Sequence, residues 1–139
     1  MVAPVPKEYF HLVWDDAKEH LRKFEKRARG RCTVDDIGKR ILSGEQQLWI
    51  ILNEDEKIIG SIVTQVWDYP RKKVAEIVAC GGDSSNELDE YIFQSMKVLE
   101  DFALENYCDV IRMEGRKGWL KSFSKIGFEQ TAILLEKEI

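Results

Sequence analysis

The sequence predicts an α/β sandwich: a mixed β-sheet flanked by helices, in the order ααβββαβαβ. Three observations carry this reading. Apolar residues recur at helical spacing near the N-terminus and again from Leu88 to Ala103. Between them lie runs rich in β-branched and aromatic residues, separated by short polar turns. A strand–helix–strand unit then spans 74–114, long enough for a right-handed crossover and parallel pairing.

Each element has its own signal. Trp14, Ala17, Leu21, Phe24 and Ala28 fall at alternating three- and four-residue spacing, so 12–29 reads as one amphipathic helix stopped near Gly30. Thr33 opens a second, short helix as an N-cap with an acidic residue three positions on, and Ser43-Gly44 closes it. The stretches 47–52 and 58–67 read as strands joined by the polar turn "NEDEK", and 74–79 as a third strand after "DYPRKK", giving an antiparallel meander. Ser84 and Glu87 fit a capping box, and Leu88, Tyr91, Ile92, Met96, Leu99, Phe102 and Ala103 trace one face of a helix over 85–107. "VIRME" (110–114) is the fourth strand, 118–126 a short helix ended by Gly127, and "TAILLEKEI" a last strand.

Composition narrows the function classes. With 139 residues, 44% apolar and 33% charged, the chain reads as a single soluble domain, 1–139. No run approaches the length of a membrane span, and the N-terminus lacks the apolar core of a signal peptide. Three scattered cysteines and two histidines, His11 and His20, offer no metal-ligand spacing and no disulfide framework, which points to a reducing cytoplasm. The net charge of −4 gives no whole-protein attraction to nucleic acid. One segment departs from this, "KEHLRKFEKRARGR" (18–31). Its Lys18, Arg22, Lys23, Lys26 and Arg27 form either a solvated helix face or a docking surface for an acidic protein or nucleic acid.

The element order and three local stretches resemble the GNAT superfamily of N-acetyltransferases. "KIIGSIVTQV" looks like the family's third strand, "VAEIVACGG" with the long helix after it like the fourth strand and cofactor helix, and "SKIGFE" like its helix–Gly-Phe–strand ending. The likeness covers nearly the whole chain from Thr33, while the family's opening strand is hard to find in "VAPVPKEYFHLV". "GRKGW" and the "LEKEI" ending also resemble small GNAT-like proteins of bacteriophages and prophages, which implies a host cytoplasm or a virion as location.

The resemblance implies acetyl-CoA as donor and an amine as acceptor. It assigns Ile77, Val78 and Ala79, at a β-bulge, to the pantetheine arm. It assigns Gly81, Gly82, Asp83, Ser84 and Ser85 to the pyrophosphate at the helix start. Glu76 takes the position of a general base; its bland reading is a strand carboxylate paired with Lys72, Lys73 or a neighbouring strand. Cys80, beside the loop with no histidine near in sequence, reads as a small buried thiol.

Two departures from the family's pattern bear on chemistry. "GGDSSNE" does not match the family's Gln/Arg-x-x-Gly-x-Gly/Ala loop, and Asp83, Glu87, Asp89 and Glu90 stand where a polyanion would sit. Two unit charges about 5 Å apart repel by about 3 kcal/mol at an effective dielectric of about 20, before salt screening. The position of the family's thiolate-protonating tyrosine is held by Phe123, which has no proton to give. Two function classes are therefore expected: an amine acetyltransferase with an altered cofactor grip, or a non-catalytic phage-type protein of the same fold that acts in a virion or binds a host protein.

Overall fold

The computed structural model describes residues 1–83, 86–115 and 117–139, with the backbone alone for 86–89. A single five-stranded sheet, in the order β1-β2-β3-β4-β5, lies between two helical layers. The strands are β1 (Val2–Pro4), β2 (Gln46–Leu52), β3 (Ile58–Asp68), β4 (Lys73–Gly82) and β5 (Val110–Met113). The helices are α1 (Phe10–Glu19), α2 (Arg22–Arg27), α3 (Val34–Leu42), α4 (Asn86–Glu105) and α5 (Lys117–Phe123). The first four strands are antiparallel in succession, and β4 and β5 are parallel. This is the mixed sheet flanked by helices that the sequence predicts.

Two apolar clusters sandwich the sheet. On one face Phe10, Ala17 and Leu21, with Val34, Ile37 and Ile41 of α3, pack on Leu48, Ile50, Val63 and Ala79. On the other, Met96 and Leu99 of α4 and Phe123 of α5 pack on Trp49, Ile51, Ile59, Ile62 and Ile77. Tyr91, Ile92 and Phe102 flank that second cluster and Ala103 is buried beside Ala75, so the described part of the predicted α4 face is the face that packs. Leu88 falls among the residues whose side chains are not described.

Four elements differ from the sequence reading. The helix expected over 12–29 is two helices, although its Ala17, Leu21 and Ala28 are buried as the spacing requires. The buried Ser61 hydroxyl donates to the Ala17 carbonyl (2.8 Å), and the chain tightens there to i→i+3 bonds, His20 N–H to Ala17 and Leu21 N–H to Lys18. A polar group of the sheet thus captures a helix carbonyl and turns the helix. At the N-terminus, β1 pairs Val2–Pro4 with Trp49–Ile51. Pro4 is tolerated because β1 is an edge strand, and the same proline hides it from a sequence pattern.

Gly81 and Gly82, read as the turn after β4, belong to β4 itself and pair with Ser61 and Gly60 of β3. The first residues of the long β3 supply their ladder partners, and Asp83 N–H extends the pairing to Ile59. The C-terminal "TAILLEKEI" is not a strand; Ile133, Leu134 and Leu135 are exposed, and the segment is held by ion pairs of Glu136 to Arg29 and Arg31 and of Glu138 to Arg29. Its three aliphatics are contiguous rather than alternating, so composition suggested a strand that no ladder completes.

The parallel pairing fixes the thiols at opposite ends of the β4–β5 pair. None of Cys32, Cys80 and Cys108 is in a disulfide. Cys80 lies beyond the part of β4 that pairs with β5, and Cys108 before β5, which at about 3.3 Å per residue puts them more than about 10 Å apart, past disulfide reach. Mild oxidation is expected to leave both unbridged, as read by mass spectrometry of peptides; an 80–108 bridge would contradict the parallel pairing.

Candidate functional site

The site suggested by the sequence is built on β4, whose side chains change faces part-way along. Val63 pairs with Ala79 but Thr64 pairs with Ile77, which leaves Val78 as the extra residue of a β-bulge. Before it, Ala75 and Ile77 face α4; after it, Ala79 joins the α1–α3 cluster while Cys80 packs against the α4 side. An unbulged strand would hold Ile77, Ala79 and Gly81 on one face. The bulge therefore falls within the stretch 77–79 where the resemblance places one.

From the bulge onward the sheet is open on the β5 side. The parallel ladder runs from Val74–Val110 to Ile77–Met113, where β5 ends. Among the described residues, β4 continues from Val78 to Gly82 with no strand on that side. Its backbone groups there form a short open edge at which an amide-bearing chain can hydrogen-bond as a strand would.

Glu76 sits just before the bulge, mostly buried, with both oxygens engaged. The Trp67 indole N–H donates to Oε2 at 2.8 Å, and Arg112 Nε lies 3.4 Å from Oε1. Lys72 and Lys73 are not its partners; the cation comes from the adjacent register position on β5, where Glu76 pairs with Arg112. Arg112 in turn lies over the Tyr69 ring, 5.4 Å from its centroid. Burial pulls the Arg112 guanidinium toward losing its proton, but the Tyr69 hydrogen bond and the Glu76 charge outweigh it, so its pKa stands above the ordinary arginine value. Glu76 is thus an ion-paired carboxylate, and each of its oxygens, with one partner apiece, keeps acceptor capacity for a further hydrogen.

At the far end of β4 the structure brings in a residue the sequence reading passed over. His20, at the α1–α2 junction, lies with its backbone carbonyl against Gly81, where a Cβ would collide with it. Its ring Nε2 is 3.2 Å from the Ile58 carbonyl oxygen and its Nδ1 is 3.7 Å from Asp83 Oδ1. Only a long-range contact makes this group, so no local motif announces it. Ser84 and Ser85 lie outside the described residues, as do the side chains of Glu87 and Asp89.

The remaining candidates are placed as follows. Phe123 is buried, stacked on Trp119 with centroids 5.0 Å apart and edge-on to Phe128 at 5.4 Å. Burial pushes the Cys108 thiol above its ordinary pKa, which suits an inert core residue. In the basic segment, Lys18 pairs with Asp15, Arg22 with Glu19 and Glu25, and Arg29 and Arg31 with the C-terminal glutamates. Lys23, Lys26 and Arg27 have no ion pair among the described residues and are exposed or nearly so. No group of three or more metal-ligating side chains occurs among the described residues, and no described helix is long and apolar enough to cross a membrane.

No protein-family profile and no curated protein matches the sequence. Solved structures match it over nearly its whole length. An aminoglycoside acetyltransferase from an uncultured soil metagenomic sample, in complex with sisomicin, aligns at TM-score 0.72 and 13% identity, over 100% of this chain and 95% of that one. A predicted acetyltransferase from Clostridium acetobutylicum, solved with acetyl-CoA, aligns at 0.69 and 15%, over 99% and 95%. Glucosamine-6-phosphate N-acetyltransferase from Arabidopsis thaliana aligns at 0.69 and 15%, over 99% and 97%. Identities this low speak for architecture and not for activity. The chain has the fold of the GNAT acetyltransferases.

Proposed function

We propose that this is an acetyltransferase-like protein that takes the acetyl-pantetheine arm of acetyl-CoA along the open edge of β4 and presents the acetyl group to an amine. The observation that carries the reading is the bulge at Val78 together with the parting of β4 from β5 after Ile77. Ile77, Val78 and Ala79 line the arm, and Glu76 receives the amine proton on a lone pair that Trp67 and Arg112 leave open. The nucleotide end is weak in this reading, because Asp83 follows β4 directly and residues 78–91 hold no lysine or arginine.

A second reading, a non-catalytic protein of the same fold that serves in a phage virion or binds a host protein, is favoured by the chemistry of the centre. Glu76 is held in an ion pair with Arg112 and a hydrogen bond from Trp67, and Phe123 has no proton for a leaving thiolate. The exposed Lys23, Lys26 and Arg27, continued by Lys18 and Arg22, are then the surface for an acidic partner, protein or nucleic acid.

Calorimetric titration at pH 8 with acetyl-CoA and with acetyl-pantetheine, which lacks the phosphates, separates the readings. The fragment is expected to bind about as well as the whole cofactor. The thermal shift with acetyl-CoA is expected to stay far below the roughly 2.7 kcal/mol of stabilisation that a hundredfold excess over Kd supplies. Micromolar acetyl-CoA binding, tenfold or more tighter than the fragment, would contradict the weak nucleotide end and make this a conventional acetyltransferase. No binding of either ligand would remove the cleft reading and leave the non-catalytic one.

A further inference from the structure

We infer that the cleft where β1 parts from β2, walled by the second half of α4, binds a short zwitterionic peptide as a strand added to the free edge of β2. The cleft measures about 640 Å³, within the range of small-ligand sites and room for about two or three residues. It lies at the start of β2, with β3 between it and the bulged β4, and stands independently of the acetyl-CoA reading.

A proline frees the edge. β1 pairs Val2–Pro4 with Ile51–Trp49, and Val5 N–H donates to the Leu48 carbonyl at 2.9 Å. Pro6, with no N–H to add, then leads the chain away into the single turn Lys7–Tyr9. Alternate residues of an antiparallel strand turn their backbone groups to the same neighbour. The Gln46 N–H and C=O therefore face the same side as those of Leu48, where no described strand lies opposite. The Gln46 side chain adds a third group. It is 3% exposed, its Nε2 donates to Gln65 Oε1 at 2.9 Å, and its own Oε1 is buried with no partner. The two ends of an amide diverge, so with Nε2 turned to β3 the oxygen is turned away from it, to the side that β1 has left. A buried acceptor left alone is costly, and an N–H seated in the cleft removes that cost.

The charges on the walls set the ends of the ligand. Asp101 and Glu105, one turn apart on α4 and both exposed, line the cleft. Lys7 lines it from the other side, with Nζ beside Gly44. Among the described residues none of the three has an ion pair. Between them Val5, Leu48, Trp49, Val98 and Phe102 give apolar walls. A free amino end at the acidic pair, a free carboxylate at Lys7 and an apolar side chain between them match all of these at once. The acidic pair alone would suit any amine. The opposite charge, and an edge that both donates and accepts, narrow the class to a peptide.

Nuclear magnetic resonance titration of the full chain with alanyl-leucyl-alanine, in low salt and with no acetyl-CoA present, tests the inference. The backbone amide signals of Gln46 and Gln47 are expected to shift, and hydrogen exchange at the Gln46 amide to slow by about threefold or more near saturation. Acetylating the amino end of the peptide, or amidating its carboxyl end, should each weaken binding about threefold or more. Asp101→Asn with Glu105→Gln should abolish the first preference and keep the second, and Lys7→Gln the reverse. All three side chains are exposed, so these variants should fold as the wild type does. The control ligand is 1,5-diaminopentane, which has the ammonium groups and no peptide bond, and it should bind more weakly without slowing exchange at Gln46. Binding of the diamine as tight as that of the peptide, or peptide binding indifferent to both end modifications, overturns the ligand class. Peptide binding that leaves Gln46 exchange unchanged overturns the strand addition. No shift at Gln46 and Gln47 with millimolar peptide, or shifts at 78–82 in their place, overturns the site.

Discussion

Alanine at position 81 is expected to lower folding stability by about 3 kcal/mol, at the upper end of what overpacking costs. A Cβ on Gly81 would overlap the His20 carbonyl oxygen, which is backbone and cannot swing aside as a side-chain end would. Neither partner is free to retreat. Gly81 is fixed by its ladder position opposite Ser61, and the end of α1 is tied by Ser61 Oγ to the Ala17 carbonyl and by the His20 ring to Ile58. Relief requires the α1–α2 junction to lift from β4 or β4 to leave its register. Gly118 in α5 is the control, because a Cβ there meets nothing within 4 Å. Gly118→Ala should be neutral or stabilising by up to about 1 kcal/mol, since alanine is the better helix residue. Urea unfolding of the two variants is the measurement, and a Gly81→Ala loss below about 1 kcal/mol would mean that the junction does not pack there in solution.

Gly81 also shows where the sequence stopped being legible. Two glycines before a helix have two physical uses, a turn around an anion and a close approach of backbones, and composition does not distinguish them. Only the partner decides, and the partner is His20, far away in the chain. Signals confined to a few residues were readable. The capping box at Thr33 and Asp36 forms as its spacing implies, with the Thr33 hydroxyl accepting from Asp36 N–H at 3.2 Å and the Thr33 N–H donating to Asp36 Oδ2 at 2.9 Å. Hydrogen bonds to the Thr33 backbone and then to its hydroxyl hold the Asp36 carboxyl below its ordinary pKa, as a cap that favours the anion should. The three meander strands, the parallel β5 and Gly127 in the left-handed region are of the same kind.

What failed to show is what depends on long-range pairing. The break at His20 needs Ser61, the length of β4 needs the start of β3, and the fate of the C-terminal segment needs Arg29 and Arg31. The site divides along the same line. The stretch carrying the bulge followed from a resemblance, whereas the partners of Glu76 and the presence of His20 followed from contacts that no spacing encodes.

Alanine at position 123 is expected to cost about 3–5 kcal/mol, the range for a phenylalanine removed from a core. Phe123 ends α5 and is 4% exposed, with ring neighbours on three sides: Trp119 stacked, Phe128 edge-on and Phe93 tilted at 6.4 Å. It also belongs to the cluster of Met96, Leu99 and Ile77, so truncation opens a cavity between α5, α4 and the sheet beside the bulged strand. Phe102 provides the comparison. It meets Trp49 edge-on at 5.2 Å but is only partly buried, so Phe102→Ala should fall at the lower end of the same range. The order matters more than either value, because it reports how firmly α5 is docked. Denaturant midpoints at unchanged slope give both losses. A Phe123→Ala loss smaller than that of Phe102→Ala would show that α5 is held loosely against this cluster.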